Sequence, residues 1–334
     1  GSNIAGKAKA NMAVKLSRVR EKSKFFRNVF QCITQTRQNS RLAEVGRFEM
    51  PKLQGKYASG QPFLHSVFGY RGVILFPWLA RVYDRDIEKP GTTLSENEEM
   101  KELKGQTKIY YQVLMDNRDS PYTRAQVESV TFLGNDKDSS LYAIPGLDYV
   151  SHEDVLPYIP SEPKPINHEL FDRFFIPSYG KGYVPQDTLR LWHEKNHRWL
   201  ELSDVHRETT EDIRVTAIPF YMGTRELQGI ANHWWRYCIR MENLGSAPAQ
   251  LRERYWKIFS LSGTLETVRG RGVVGQEPKL SPQQSAFQYS SHVSLHAPSG
   301  HMWGTFRFER QDGSTFDVRI PPFSLESKEH PSEK

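Results

Sequence analysis

The sequence predicts a mainly β protein of two domains joined by a proline-rich linker with short helices, and three observations carry that expectation. From position 48 onward, short β-branched or aromatic runs alternate with Gly, Pro and Asp turns, the pattern of antiparallel sheets rather than of helix-linked parallel ones. At 334 residues, with 37% hydrophobic and 12% aromatic side chains, the chain exceeds a typical single domain and has apolar material for two cores. Pro157, Pro160, Pro163 and Pro165 divide the β-rich region, because each proline lacks a backbone donor and restricts the residue before it.

The first 46 residues stand apart from the rest. They carry ten Lys or Arg against two Asp or Glu, a net of +8, which leaves the remaining body at −2. Leu16, Val19, Phe26 and Phe30 fall near helical spacing, interleaved with Lys15, Arg18, Arg20, Lys22, Lys24 and Arg27. A basic amphipathic helix rich in Arg and poor in acid has the character of a mitochondrial transit peptide, with residues 31–40 as a polar spacer. The rival reading is a basic arm that binds acidic surfaces. Since the body is not globally basic, any nucleic-acid contact there needs a local patch, for which Arg71, Arg81 and Arg85 are the candidates.

The first β domain is expected over residues 47–156, with strands at 63–68, 72–76, 109–116, 127–133 and 141–150. The charged stretch 85–107 holds too few apolar residues to bury and reads as a mobile insertion between strands, a candidate contact region. Residues 157–206 are expected as the linker. It holds two helices, one at 167–175 with Leu170, Phe171, Phe174 and Phe175 on its apolar side, and one at 187–200 with Leu189, Trp192, Trp199 and Leu200.

The second domain, 207–326, shows seven better-marked strands, at 213–221, 234–243, 254–261, 265–269, 287–295, 302–310 and 315–320, a number that suggests a sandwich. In the second of these Trp235, Tyr237, Ile239 and Met241 share one face and Arg236, Arg240 and Glu242 the other. Ser262-Gly263, Ser299-Gly300 and Asp312-Gly313 read as hairpin turns. A short tail, 327–334, follows.

Several patterns suggest chemistry and then lose it in context. Gly270, Gly272 and Gly275 have the spacing of a dinucleotide fingerprint, but Gln276-Glu277-Pro278 follows where a helix is required, so a bend between strands is expected. Arg269 and Arg271 keep an anion site open beside that bend. His193-Glu194-Lys195-Asn196-His197 matches the zinc-peptidase spacing on a helix, with Glu201 or His206 as a third ligand, yet a charged surface helix yields such spacing by chance. Gln61, Leu64, Val67 and Phe68 nearly form a PCNA-binding box, but alternation along a strand cannot present that motif's helical turn. Two cysteines, Cys32 and Cys238, are too few for a disulfide framework and fit a reducing compartment. No run approaches the roughly 18 consecutive apolar residues of a membrane span. No cofactor, metal or catalytic residue is expected, and no membrane partner; the chain is expected to be a monomer.

Tyr255-Trp256, Gly270-Arg271-Gly272-Val273-Val274-Gly275, Phe287-Gln288-Tyr289-Ser290-Ser291, Gly300-His301-Met302 and Phe316-Asp317-Val318-Arg319-Ile320-Pro321-Pro322-Phe323 together resemble an ApaG domain. That resemblance implies a fibronectin-III-like β-sandwich. Upstream, Gly60-Gln61-Pro62-Phe63-Leu64-His65, Phe68-Gly69-Tyr70-Arg71-Gly72-Val73-Ile74, Tyr110-Tyr111-Gln112-Val113-Leu114 and Tyr149-Val150-Ser151 resemble a YccV/HspQ-like domain, which implies a small β-barrel associated with hemimethylated-DNA binding and protease regulation. The two modules in this order behind a presequence resemble a family of polymerase delta-interacting proteins. The resemblance implies a non-catalytic adaptor for replication and damage-tolerance factors, resident in the mitochondrial matrix with the nucleus as a second address. The partners it implies are the small subunit of DNA polymerase delta, PCNA, the primase-polymerase PrimPol and the unfoldase ClpX. Direct DNA binding through the YccV/HspQ-like domain, and nucleotide or pyrophosphate binding by the ApaG domain, are the two alternatives.

Overall fold

The computed structural model describes residues 45–86, 105–124, 130–133, 141–180 and 182–328. The basic segment 1–44, residues 87–104 of the expected insertion and residues 329–334 of the tail lie outside them. The first half contains β1 (Gly46–Phe48), β2 (Pro62–His65), β3 (Arg71–Asp84), β4 (Gln106–Met115), β5 (Val130–Leu133), β6 (Leu141–Ile144), β7 (Leu147–Ser151) and β8 (Val155–Pro160). Next come α1 (Phe171–Phe174), β9 (Phe175–Ser178), β10 (Gly182–Pro185) and α2 (Asp187–Leu200). The second half contains β11 (Asp204–Thr210), β12 (Ile213–Leu227), β13 (Ile230–Asn243), β14 (Ala249–Ser260), β15 (Leu265–Arg271), β16 (Lys279–Leu280), β17 (Ala286–Leu295), β18 (Ser299–Arg310) and β19 (Thr315–Glu326).

In the first domain β1, β8, β2, β3, β4 and β7 pair antiparallel in that order. Strand alternation sends Phe63, Ile74, Tyr111, Val113, Val150 and Val155 to one side, where they meet in a single buried cluster. The sheet therefore curls round its own core as a small barrel. The opposite side of β3 and β4 offers Val73, Leu75 and Leu114, which are covered by Ile166, Phe171, Phe174, Phe175, Leu189 and Leu200. Each such side chain contributes about 1.5–3 kcal/mol when fully buried.

That covering layer is the expected linker with its two helices packed against a domain, and its first prolines are drawn into a strand. Residues 157–206 do not hang between domains: Pro157 and Pro160 lie in β8, and α1 and α2 are packed on the barrel. Prolines stop helices, but Pro157 keeps its place in a strand by accepting, its carbonyl taking the Glu49 N–H at 2.9 Å. The apolar faces of the two helices require a surface to bury them, and the nearest is the outside of the barrel. The helix expected at 167–175 is the short α1, with β9 beginning at Phe175; the helix at 187–200 forms with those bounds.

The second domain is a sandwich. β11, β12, β13 and β17 form one layer, and β15, β14, β18 and β19 the other, with β16 at the side of β14. Trp235, Tyr237, Ile239 and Met241 fill the space between them with Trp256, Phe306, Phe308 and Phe323. Most strands extend beyond their expected bounds, β12 to Leu227 and β19 to Glu326, because continued pairing satisfies backbone groups that sequence alternation marks only weakly. The two domains share one ten-stranded sheet: the last turn of β3 pairs in parallel with β11, Arg81–Asp84 against Asp204–Arg207.

Candidate interaction sites and the seam between the domains

The Arg face of β13 is the first surprise. Arg236, Arg240 and Glu242 stand on the side of the strand away from the sandwich core, yet Arg236 is buried and the Arg240 side chain is only 14% exposed. The first domain covers them. Arg240 donates to Asp154 at 2.8 Å and to Glu242 at 2.8 Å, and its guanidinium lies 5.2 Å from the centre of the Phe68 ring. Burial alone raises a carboxyl pKa, but the Arg240 charge, with hydrogen bonds from Arg240 and the Ser66 hydroxyl, overcomes it and holds the Asp154 carboxyl well below its usual range.

Beside this pair, Asp148 accepts from the Tyr70 hydroxyl at 2.7 Å and from the Gln288 side chain, across the seam, at 3.0 Å. Burial pushes its carboxyl upward, and those hydrogen bonds work against the shift. The Arg236 guanidinium lies 4.2 Å from the Phe220 ring centre, and Tyr149 packs on the same ring at 4.8 Å. His65, 1% exposed, accepts the Val67 and Phe68 N–H groups on its Nδ1 at 3.1 and 3.3 Å. Burial lowers its pKa to about 3, so it stays neutral.

A cavity of about 60 Å³ remains between Tyr110, Asp154, Arg207, Arg240, Glu242 and Gln288. Small-molecule sites run to roughly 300–1,000 Å³, so this space suits a few waters between ion pairs rather than a substrate. Cys238, at its edge, is buried in this seam, and burial pushes its thiol up to about 12, which keeps it a thiol.

The sites expected from sequence are dispersed and mostly neutralised. Arg71 opens β3 and forks onto Asp119, at 2.8 and 2.7 Å, with Asp116 at 3.6 Å; it anchors the 116–119 turn and offers no free charge. Arg85 lies 3.8 Å from the buried Glu208, and Arg81 bonds the Tyr83 hydroxyl at 3.3 Å, so the proposed Arg71, Arg81 and Arg85 patch leaves Arg81 as its exposed member. Arg269, Gly270, Arg271, Gly272 and Gly275 lie in the other layer, far along the topology from Arg71. Arg269 pairs with Glu253 at 2.8 Å and Arg271 with Glu277 at 2.7 Å.

The glycine array is a tight turn. Val273 and Gln276 exchange both backbone bonds at 2.8 Å, and the Gly272 N–H goes to the Arg252 carbonyl, so these donors are occupied within the chain. Gly272 is needed because φ is +57° and a Cβ would run into the Gln276 carbonyl; Gly275, at φ +76°, completes the turn. The short β16 follows instead of a helix, so the anion cradle expected of a dinucleotide fingerprint is not built. Among the described residues no three His, Cys, Asp or Glu side chains gather as metal ligands. His193 is half-buried rather than free on the surface: its ring stacks on Phe76 with centres 3.8 Å apart, while the side chain of His197 lies outside the described residues. In the PCNA-box-like segment the strand expected over 63–68 ends at His65: Leu64 is buried in β2, while Val67 and Phe68 lie in a turn held by their N–H bonds to the His65 ring, with Phe68 packed under Arg240 and so not free to dock.

The comparisons with known proteins follow this architecture. A family model described as hemimethylated DNA-binding protein YccV like matches residues 55–182, and one for the ApaG domain matches 225–310. The first match takes in β8, α1 and β9, so that module runs past the expected boundary at 156, in keeping with the packed helices. Over 294 residues, 86% of this chain and 80% of the relative, the sequence is 67% identical to polymerase delta-interacting protein 2 of Homo sapiens, and it matches the Mus musculus protein to the same extent. The chain belongs to the polymerase delta-interacting protein 2 family.

Within that family frame, the ApaG module also matches protein ApaG of Paramagnetospirillum magneticum, 43% identical over 123 residues, which is 37% of this chain and 94% of the bacterial protein. Nearly a whole bacterial chain thus corresponds to the sandwich alone, and here its β13 face is covered by a second module. The residues that do this, Asp148, Asp154, Arg240 and Gln288, are absent from the sequence-derived candidates. The one available signal was the line of Arg236, Arg240 and Glu242 on a strand whose opposite face is wholly apolar.

Proposed function

We propose that this protein is a non-catalytic adaptor that presents two rigidly joined β modules to protein partners. Its 67% identity over most of the chain to a protein named for interaction with polymerase delta carries the reading. The seam supports it: what lies between the modules is a cavity of about 60 Å³ lined by ion-paired side chains, too small for a substrate, and those pairs hold the two outer surfaces in a fixed relation. By the same resemblance the partners are the small subunit of polymerase delta, PCNA, the primase-polymerase PrimPol and the unfoldase ClpX. The basic N-terminal segment addresses the chain to the mitochondrial matrix, with the nucleus as a second location.

The test is direct binding of the purified full chain to each purified partner by biolayer interferometry, with nuclease present. Saturable, nuclease-resistant binding to the polymerase delta small subunit is the expected result. No binding to any of the four partners sinks the adaptor reading.

A second reading has one observation in its favour, the description of the family model over residues 55–182 as a hemimethylated DNA-binding protein. It requires cations on the barrel, and Arg71 is committed to Asp119. Arg81→Glu should then abolish duplex binding; unchanged binding removes the barrel as its site.

A further inference from the structure

The outward face of the sheet formed by β15, β14, β18 and β19 combines aromatic rings with cations. The registers place Arg269, Tyr255, Thr305 and Arg319 in one row across the four strands. Lys257 and Trp303 stand side by side in the next, and Phe259 and His301 in the one after. Their inward neighbours Trp256, Ile258, Met302 and Phe306 are buried in the sandwich core, so these side chains point away from it. Tyr255, Lys257, Phe259 and Trp303 are half-buried, while Arg269 and Arg319 have side-chain exposures of 64% and 71%.

No carboxylate occupies an outward position in these three rows. The nearest on this face, Glu253 and Asp317, belong to the following row with Arg307 between them; there Glu253 takes Arg269 at 2.8 Å and Asp317 takes Arg307 at 2.9 Å, and Arg319 lies 3.6 Å from Glu208 on β11. The Arg269–Glu253 pair, between accessible side chains, is weak and readily exchanged for another anion, whereas Arg319 reaches the buried Glu208, which Arg85 also faces at 3.8 Å, while most of its own side chain stays exposed. The Lys257 ammonium lies 6.0 Å from the Tyr255 ring centre, which keeps a charge beside a stacking surface.

Trp303 faces Lys257, so Tyr255 and Phe259 are its two diagonal neighbours, at about 7–8 Å in an antiparallel sheet. That is roughly twice the 3.4 Å rise of stacked bases, the spacing at which successive bases separate and each lies on its own ring. A basic sheet carrying a zigzag of three rings suits an unpaired strand. A duplex keeps its base faces stacked inside and has no use for the rings.

We propose that this face is a platform for single-stranded DNA, with bases on Tyr255, Trp303 and Phe259 and phosphates on Lys257, Arg269 and Arg319. The choice of DNA over RNA rests on the polymerase reading above; the platform rests on the sheet alone. It also moves the nucleic-acid contact from the barrel, where the sequence patch was sought, to the sandwich.

The test uses the full chain and fluorescence anisotropy with a labelled 20-nucleotide oligo-dT, the matching abasic oligomer, oligo-rU and a duplex. Oligo-dT should bind at least tenfold more tightly than the abasic strand or the duplex, with a log–log salt slope of about −2 for three neutralised phosphates. Lys257→Glu with Arg269→Glu should weaken binding more than tenfold without changing the melting temperature, and Trp303→Ala at least fivefold. Ultraviolet crosslinking of a 5-bromouracil strand should mark peptides spanning 253–259 or 301–307. Unaltered binding in the double variant, crosslinks confined to other segments, or equal affinity for the abasic strand or the duplex would overturn the platform. Tighter binding of oligo-rU, with crosslinks on this face, would overturn the assignment to DNA and leave the polymerase reading untouched.

Discussion

β13 and β14 look alike in sequence: each alternates bulky apolar residues with Arg, Lys or Glu, and each fills the same sandwich core. Their other faces meet opposite fates. Arg240 on β13 is clamped between Asp154, Glu242 and Phe68 under the first domain, whereas Lys257 on β14 lies among half-exposed rings on an open sheet. Alternation identifies which side of a strand enters its own core. It does not say whether the polar side meets water or a second domain, because that depends on residues some 86 positions away, such as Asp154 relative to Arg240.

The contrast can be broken most sharply by setting Arg240 against Arg307, which stands on β18 in the open layer and pairs there with Asp317 at 2.9 Å. Arg240→Ala leaves the Asp154 carboxylate in the seam without its main partner, and urea unfolding should show a loss of about 3–5 kcal/mol. An equal loss from Arg307→Ala, on the open face, would erase the distinction.

The next effect is in pH. His65 is buried neutral, with its pKa lowered to about 3, while the unfolded chain takes up a proton near 6.5. The unfolded state therefore binds more protons below that value, and stability falls as pH drops from about 6.5 toward 3. This one group should cost about 2 kcal/mol between pH 7 and pH 5. His206, lowered to about 4 by burial, acts in the same direction. Asp154 contributes in a lower window, its stabilisation being lost only as pH falls below the usual carboxylate range. His65→Asn, which can still accept the Val67 N–H, should flatten the slope above pH 5; an unchanged slope would mean that His65 is not its source.

A smaller change sharpens the assignment of the glycine array. Gly275→Ala forces a Cβ into the left-handed region where space is open, so about 1 kcal/mol of stability should go, measured by thermal melting. Titration calorimetry of the unaltered protein with pyrophosphate should give no heat assignable to this turn, whose donors Val273, Gln276 and Gly272 already bond within the chain. Smallest of all, Arg307→Ala should shift stability by less than about 0.5 kcal/mol, since its partners Asp317 and Glu253 are solvent-accessible.

What could be read from sequence was what short-range pattern encodes. The β13 core face, the α2 bounds and the turns at Ser262-Gly263 and Asp312-Gly313 follow from periodicity and turn chemistry, and the motif sets carried both module names; Ser299-Gly300, expected as a third hairpin turn, instead opens β18, because β17 and β18 belong to different layers and need no tight reversal between them. The fate of charge was illegible. Arg71 seemed available until Asp119, 48 positions on, was folded against it, and Arg85 until Glu208 was. Prolines misled for a related reason: a missing N–H breaks a helix but not a strand position whose carbonyl does the bonding, as at Pro157. The segment at 202–210 held β11, the strand that joins the domains, because its parallel partner in β3 is over a hundred residues away.

The central claim is that β3 pairing with β11 and the Arg240–Asp154 seam make the two modules one body. Scanning calorimetry of the full chain tests it most directly. The account predicts a single cooperative transition for both modules, moved to lower temperature by Arg240→Ala. Two separate transitions in the unaltered protein, with the variant shifting neither, would contradict it.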